Sequence, residues 1–459
     1  MMDQARARYL QQSSTVSRVS NMNKTTATHS EAVATDLAGM RVAAERMDQL
    51  KLNSEKRFPA VTVVAKAVHP PWNEGTRVIA RNIALAAQKA GYATRTISLS
   101  SKAYAKQQDE YSTRVKHIQS RLSYGITADY LYLRQVAQAI NRSNGLVTPE
   151  VVHLIGAPLA LAPFTRSQTR RVVAHVTLSR QAYLSAAEKL RAAFGWRVFD
   201  RWVDAYACTS EQIKRDLLRR GYNPEKLHVV APPIDVQRFE RIDRLAARAM
   251  LGLDAEAFVV AYVGTVSPLR FPAEDVMKAL SLASEEIPML RLEVFAPVLT
   301  HGRNIVWAEE NVSRAAQGLG LAMGLHLQDL TDAQKALVYS AADVILLPFT
   351  APVAVEPPLT LLEAMACQAI VAVAPYANRS NIVVEGRNGI TFSGADELAA
   401  QLKGLYSLSP AIREALGAEG RRTVLAKYSF GAALEDLSRL WAYIGLQETV
   451  DCRAANLNL

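Results

Sequence analysis

The sequence predicts an α/β chain that builds the same unit twice: a parallel sheet wound on both faces by helices. Two stretches carry that expectation. From Phe58 onward, Pro-Ala-Val-Thr-Val-Val-Ala-Lys-Ala (59–67) is a β-branched run of strand type, a helix is expected from Arg77 to about Ala90, and Gly91 leads into a second strand over Tyr92–Leu99. The unit is therefore βαβ, with its loop at the carboxyl end of the first strand. Ala257-Phe-Val-Val-Ala-Tyr-Val-Gly264 then opens a second unit of the same kind.

Composition bounds the classes open to the chain. With 459 residues, 49% apolar and 21% charged, it has room for two domains and the balance of a soluble protein. No apolar run reaches the roughly 18 to 20 residues that cross a bilayer, and the first fifty residues lack a secretory apolar segment, so a cytoplasmic address is expected. Cys208, Cys367 and Cys452 are too few and too scattered for a disulfide framework or a zinc site, and no metal is expected. The net charge of +10 is unevenly placed: residues 165–220 hold twelve Lys or Arg against five Asp or Glu, and 101–145 hold seven against three. A basic first half suits an anionic membrane surface, a phosphorylated acceptor or nucleic acid, and equally an ordinary solvated face.

Taken in order, residues 1–57 carry many Ser, Thr, Asn and Gln with one weak helical stretch near Glu31–Leu50, and read as a poorly ordered tail. Residues 101–145 read as helical and basic, with Tyr104, Tyr111, Tyr124, Tyr130 and Tyr132 interleaved. Those tyrosines fit helix packing better than a nucleic-acid platform. Val151–Gly156 is a buried strand, and Arg171–Thr177 a further one that delivers His175 near its carboxyl end, where ligands bind in this sheet class. A helix follows to Arg220, then a hinge after Asp235, a charged helix over Arg238–Leu251, and strands at 290–295 and 325–327. Ala411–Ile444 reads as closing helices.

The stretch with the most chemistry is 354–367, Ala-Val-Glu-Pro-Pro-Leu-Thr-Leu-Leu-Glu-Ala-Met-Ala-Cys. Upstream, 341–349 is a short buried strand. Pro358 suits a helix start and Leu-Leu-Glu-Ala-Met-Ala are strong helix formers, so Leu359 and Thr360 expose free amides where an anion can sit. Glu356 and Glu363 bracket that turn.

These residues together resemble the retaining glycosyltransferases of family 4, over roughly 58–445. The resemblance implies the GT-B fold: two Rossmann-like doubly wound domains, here 58–237 for the acceptor and 238–425 for the nucleotide-sugar donor, facing a central cleft, with a helix in 426–459 crossing back to the first. It implies that Glu363 holds the donor ribose, that Glu356 lies near the transferred sugar, and that the amides of Leu359 and Thr360 meet the phosphates. Only six residues separate the two glutamates, one fewer than the family pattern, and Val355 stands where the acid is expected. By the same resemblance Gly75 and Gly264 let backbone approach the donor, Arg270 grips the diphosphate with Thr265 in place of its usual basic partner, and His175 contacts the sugar.

The expectation is a glycosyltransferase that moves a sugar from a nucleotide-diphospho sugar, its substrate rather than a cofactor, to a glycan or lipid-linked acceptor, with retention and without metal. Nucleic acid is not an expected partner; an anionic membrane surface is one. Two alternatives stay open: a non-catalytic subunit that binds a sugar nucleotide or glycan, and a GT-B epimerase acting on a nucleotide sugar.

Overall fold

The computed structural model describes residues 59–100, 109–119, 126–141, 150–178, 197–298 and 302–446. The expected tail, Tyr104, Tyr124 and Cys452 lie outside them.

The β-branched runs form two sheets. Strands β1 (Ala60–Lys66), β2 (Thr94–Ser100), β3 (Lys116–Gln119), β4 (Glu150–Ile155), β5 (Arg170–Val176), β6 (Ala205–Cys208) and β7 (Leu227–Val229) make a seven-stranded sheet in the order β3-β2-β1-β4-β5-β6-β7. Strands β8 (Phe258–Val263), β9 (Leu290–Ala296), β10 (Ala322–Leu327), β11 (Val344–Leu347), β12 (Ile370–Val373) and β13 (Ile390–Thr391) make a six-stranded sheet ordered β10-β9-β8-β11-β12-β13. These pairings are parallel. Parallel strands covered by helices on both faces are buried throughout, which is why Val61, Val63, Val344 and Ile345 are wholly removed from solvent. In each sheet the chain winds outward in both directions from its first strand, β1 or β8. The loops that leave those strands therefore enter a switch-point crevice, the place where such sheets take ligands.

Helix starts are set by local chemistry. Thr331 and Gln334 form a capping box that opens the Asp332–Ala341 helix, and Ser210 caps Glu211–Leu218 through the Ile213 amide at 3.2 Å. The last helix, Phe430–Tyr443, returns to the first sheet. Phe430 and Leu434 pack on Ala86 of the Gly75–Lys89 helix, Trp441 meets Tyr92 edge-on at 4.9 Å, and the Arg171 Nε donates to the carbonyl of Ile444 at 3.0 Å. The expected crossing helix is this one.

Two local expectations are corrected. Within the 101–145 region, Lys116–Gln119 is a strand rather than helix, pairing with β2 at the sheet edge. Lys-His-Ile-Gln carries almost no strand signal of its own; pairing with a preformed neighbour decides its conformation. The helix expected from Arg238 begins only at Arg244, capped by Asp243 through the Ala246 amide at 2.9 Å. Before it, Asp235 accepts from the Arg238 Nε at 3.0 Å and Phe239 is buried, which fixes the linker in a non-helical path.

The Phe430 contact predicts a stability effect. Phe430→Ala should cost about 3 kcal/mol of unfolding free energy, in the range for emptying a buried aromatic site, as read by urea denaturation. A loss under about 1 kcal/mol would mean that the crossing helix is not anchored there.

Candidate functional site

A cavity of about 630 Å³ opens between the carboxyl ends of the two sheets. From the first sheet its wall takes Trp72, Asn73, Glu74, Gly75 and Arg77, all in the loop after β1 or the start of the next helix. From the second it takes Tyr262, Gly264, Thr265 and Arg270 after β8, Lys335 and Tyr339 from the Asp332–Ala341 helix, and Val355, Leu359, Thr360 and Glu363 after β11. Six of the residues singled out in the sequence, Gly75, Gly264, Arg270, Leu359, Thr360 and Glu363, thus line this cavity, Gly75 from the first half and the other five from the second.

Each has a local reason to be there. Gly75 opens its helix against Val355, and a Cβ on it would come within 2.6 Å of a Val355 methyl, so only glycine lets the two loops close on each other. Gly264 has φ +150°, a conformation that side chains disfavour, and it turns the chain sharply off β8. The Arg270 guanidinium donates to the carbonyl of Val353, which holds it over the cavity edge. The Leu359–Ala366 helix begins at Pro358 with no side-chain cap. Its first amides are left for another acceptor, and the helix dipole favours an anion.

Glu363 is almost fully buried. Tyr339 Oη donates to its Oε2 at 3.0 Å, and Lys335 Nζ stands 3.5 Å from its Oε1. Burial pushes its carboxyl above the ordinary glutamate value, and the Lys335 charge is the largest effect pulling it back.

Glu356 and His175 are not on the cavity wall. The Glu356 amide donates to the Thr177 carbonyl at 2.8 Å and its own carbonyl accepts from Thr209, so the backbone is clamped to the first half. Val355 takes the cavity side, and the Glu356 carboxylate turns the other way to accept from Ser380. Beside it Arg379 pairs with Asp216 of the first half at 3.0 Å. Burial raises the Glu356 carboxyl to about 6. His175 lies against His153. The Trp441 indole can only donate, and it donates to His153 Nε2 at 3.0 Å. His153 therefore carries its proton on Nδ1 and donates to His175 Nε2 at 2.7 Å. Burial lowers both imidazoles, His175 to about 3, so the pair is neutral at physiological pH.

Trp72, Asn73, Tyr339 and above all Lys335 also line the cavity, and no motif in the sequence marks them. The available signal for the lysine was its spacing: Asp332, Lys335 and Tyr339 fall at helical intervals of three and four, on one face.

Comparison with known proteins agrees with this geometry. The model of Glycosyltransferase Family 4 matches residues 74–238, and a glycosyl transferase-like model matches 279–439. A D-inositol 3-phosphate glycosyltransferase of Rhodococcus opacus is 31% identical over 219 residues, 47% of this chain and 48% of that protein. The chain thus spans about half the length of the curated relatives it matches. Among solved structures, Anabaena Alr3699/HepE in complex with UDP and glucose has a TM-score of 0.67 at 14% identity, covering 83% of this chain and 99% of that one. A glycosyltransferase from Rickettsia africae has 0.65 at 13% identity, covering 84% and 99%.

The Glu356 environment predicts a pH effect on stability. A carboxyl whose folded value lies above its unfolded one makes the fold lose stability as pH rises between the two, here from about 4.5 to about 6. Glu356→Gln removes that loss and can still bond to Ser380. Relative to the native chain, its unfolding free energy should rise by about 2 kcal/mol between pH 4 and pH 7, in urea titrations. A difference that stays flat with pH would mean that Glu356 is not held in this seam.

The first sheet's region is thus similar to Glycosyltransferase Family 4, the second's to glycosyl transferase-like proteins, and the two-sheet fold to that of the solved structures.

Proposed function

We propose that the chain transfers a sugar from a nucleotide-diphospho sugar to an acceptor hydroxyl, on a glycan or a lipid-linked molecule, with retention of configuration and without metal. The observation that carries this reading is the convergence of Arg270, the uncapped Leu359–Ala366 helix start and Glu363 on one wall of the cavity. As the glycosidic bond breaks, negative charge grows on the departing diphosphate. The Arg270 guanidinium and the amides of Leu359 and Thr360 answer that charge, with no reorganisation at the moment of reaction. Glu363 accepts from the ribose hydroxyls. Gly75 and Gly264 keep side chains out of the donor's path, and the opposite wall, Trp72 to Arg77, receives the acceptor. Glu356 and His175 act in this reading from behind the wall, by fixing the 354–360 loop and the end of β5.

The basic first half fits an anionic membrane surface where lipid-linked acceptors lie. Among the described residues no helix is long and apolar enough to cross a membrane.

A panel of UDP-, GDP- and ADP-sugars, followed by product analysis, tests the proposal. UDP-glucose, named with one of the solved neighbours, is the first member. One donor should raise the melting temperature, since saturation at about a hundred times Kd adds about 2.7 kcal/mol, and should yield a glycoside when acceptors are supplied. Arg270→Ala should weaken that donor by about tenfold or more, the loss of a charge-assisted contact. A bound donor without product would favour the binding subunit, an altered free sugar nucleotide the epimerase. No donor bound at all would overturn the reading.

A further inference from the structure

Four charges are buried together at the seam behind the donor wall: Arg81, Asp332, Lys335 and Glu363, each with less than a tenth of its surface exposed. Arg81 Nη2 lies 2.8 Å from Asp332 Oδ2, as a charge contact without hydrogen-bond alignment, and Arg238 Nη1 approaches the same oxygen at 3.5 Å. Lys335 Nζ stands 3.5 Å from Asp332 Oδ1 and 3.5 Å from Glu363 Oε1, and donates to the carbonyl of Trp72 at 2.8 Å. Trp72 is itself held, its ring 4.5 Å from the Arg81 guanidinium and its Nε1 donating to Asp109 at 2.7 Å.

We propose that Lys335, perched on the Trp72 carbonyl and on Asp332, is a positioning residue that keeps Glu363 an ionised carboxylate at the donor wall. This rests on the reading of Glu363 as the ribose ligand. The groups facing Glu363 are few. Asp332 opposes its ionisation, as does burial; Tyr339 Oη donates to it; the Cys367 thiol is driven to its neutral form; Arg81 acts from beyond Asp332. Lys335 is the cation in direct contact. With it gone, the buried carboxyl takes a proton, and one of its oxygens turns from acceptor to donor. The acceptor pair that two neighbouring ribose hydroxyls need is then lost. Ionisation also links the halves, because the lysine that holds Glu363 is bonded to the loop carrying Trp72 on the opposite wall.

The test compares Lys335→Met, Lys335→Arg and Glu363→Gln in the full chain. UDP, GDP and ADP are the probes, titrated calorimetrically from pH 6.5 to 9, beside a double-mutant unfolding cycle in urea. The native chain should bind its nucleotide with a flat profile. Lys335→Met should bind about tenfold more weakly at pH 6.5 and recover as the pH rises, Glu363→Gln should be weak at every pH, and Lys335→Arg should resemble the native chain. In unfolding, the Lys335→Met and Glu363→Gln double variant should be less destabilised than the sum of the two singles, because each removes the other's partner. Equal weakening of Lys335→Met across the pH range, or additive unfolding losses, would overturn the proposal. If the native chain binds none of the nucleotides, the functional reading fails by itself, and the unfolding cycle still decides whether Lys335 and Glu363 are linked.

Discussion

The charge contact between Arg81 and Asp332 joins the two halves at the base of the cavity they share. An ion taken out of water costs several kcal/mol, so each needs opposite charge at the seam: Arg81 finds it in Asp332, and Asp332 in Arg81, Lys335 and Arg238. Arg81 comes from the helix after β1, and Asp332 from the helix after β10. Separation of the halves would break this pair, leaving Asp332 with Lys335 and Arg238. Lys335 and Glu363 add a second pair of opposite sign, and the cluster extends as far as the cavity wall. The charges at the base of the cleft thus run without a break to Glu363 on the cavity wall.

A second seam, behind the loop at 354–360, works by different means. The backbone of Glu356 is bonded to Thr177 and Thr209 of the first half, while Arg379 reaches Asp216. The Phe430–Tyr443 helix completes the closure through Ala86, Tyr92 and, by way of Trp441, the histidine pair. Three kinds of contact thus converge on one geometry: buried ions, backbone hydrogen bonds and an apolar helix. Consistency across such levels favours a single arrangement.

Much of this was legible in the sequence, because its signals are local. β-Branched runs between turn residues marked β1, β4, β8 and β11; a proline before strong helix formers marked the helix start at Leu359; glycines marked the turns after β1 and β8. The residues attached to those elements, Gly75, Gly264, Arg270, Leu359, Thr360 and Glu363, line the cavity. Lys335 and Arg81 were not legible, since a charge reads as a surface residue until the fold brings a partner from more than two hundred residues away. Glu356 was placed near the sugar by resemblance although the spacing departs from the pattern by one residue, and the clamp on its backbone gives the cavity to Val355. His175 was placed correctly near the end of β5; which way its ring turned depended on His153 and Trp441, neither a neighbour in sequence. The strand at Lys116–Gln119 has no pattern of its own and exists through β2.

In the function proposed above, this cavity holds a nucleotide diphosphate between Arg270, the helix start and Glu363. The most direct measurement is a crystal structure of the chain with the nucleotide that stabilises it. Ribose hydroxyls are expected within hydrogen-bond reach of Glu363, with Lys335 still bonded to the Trp72 carbonyl, and phosphate oxygens at the amides of Leu359 and Thr360 and at the Arg270 guanidinium. A nucleotide bound outside this cavity, or one lying in it with its ribose turned away from Glu363, would contradict the account.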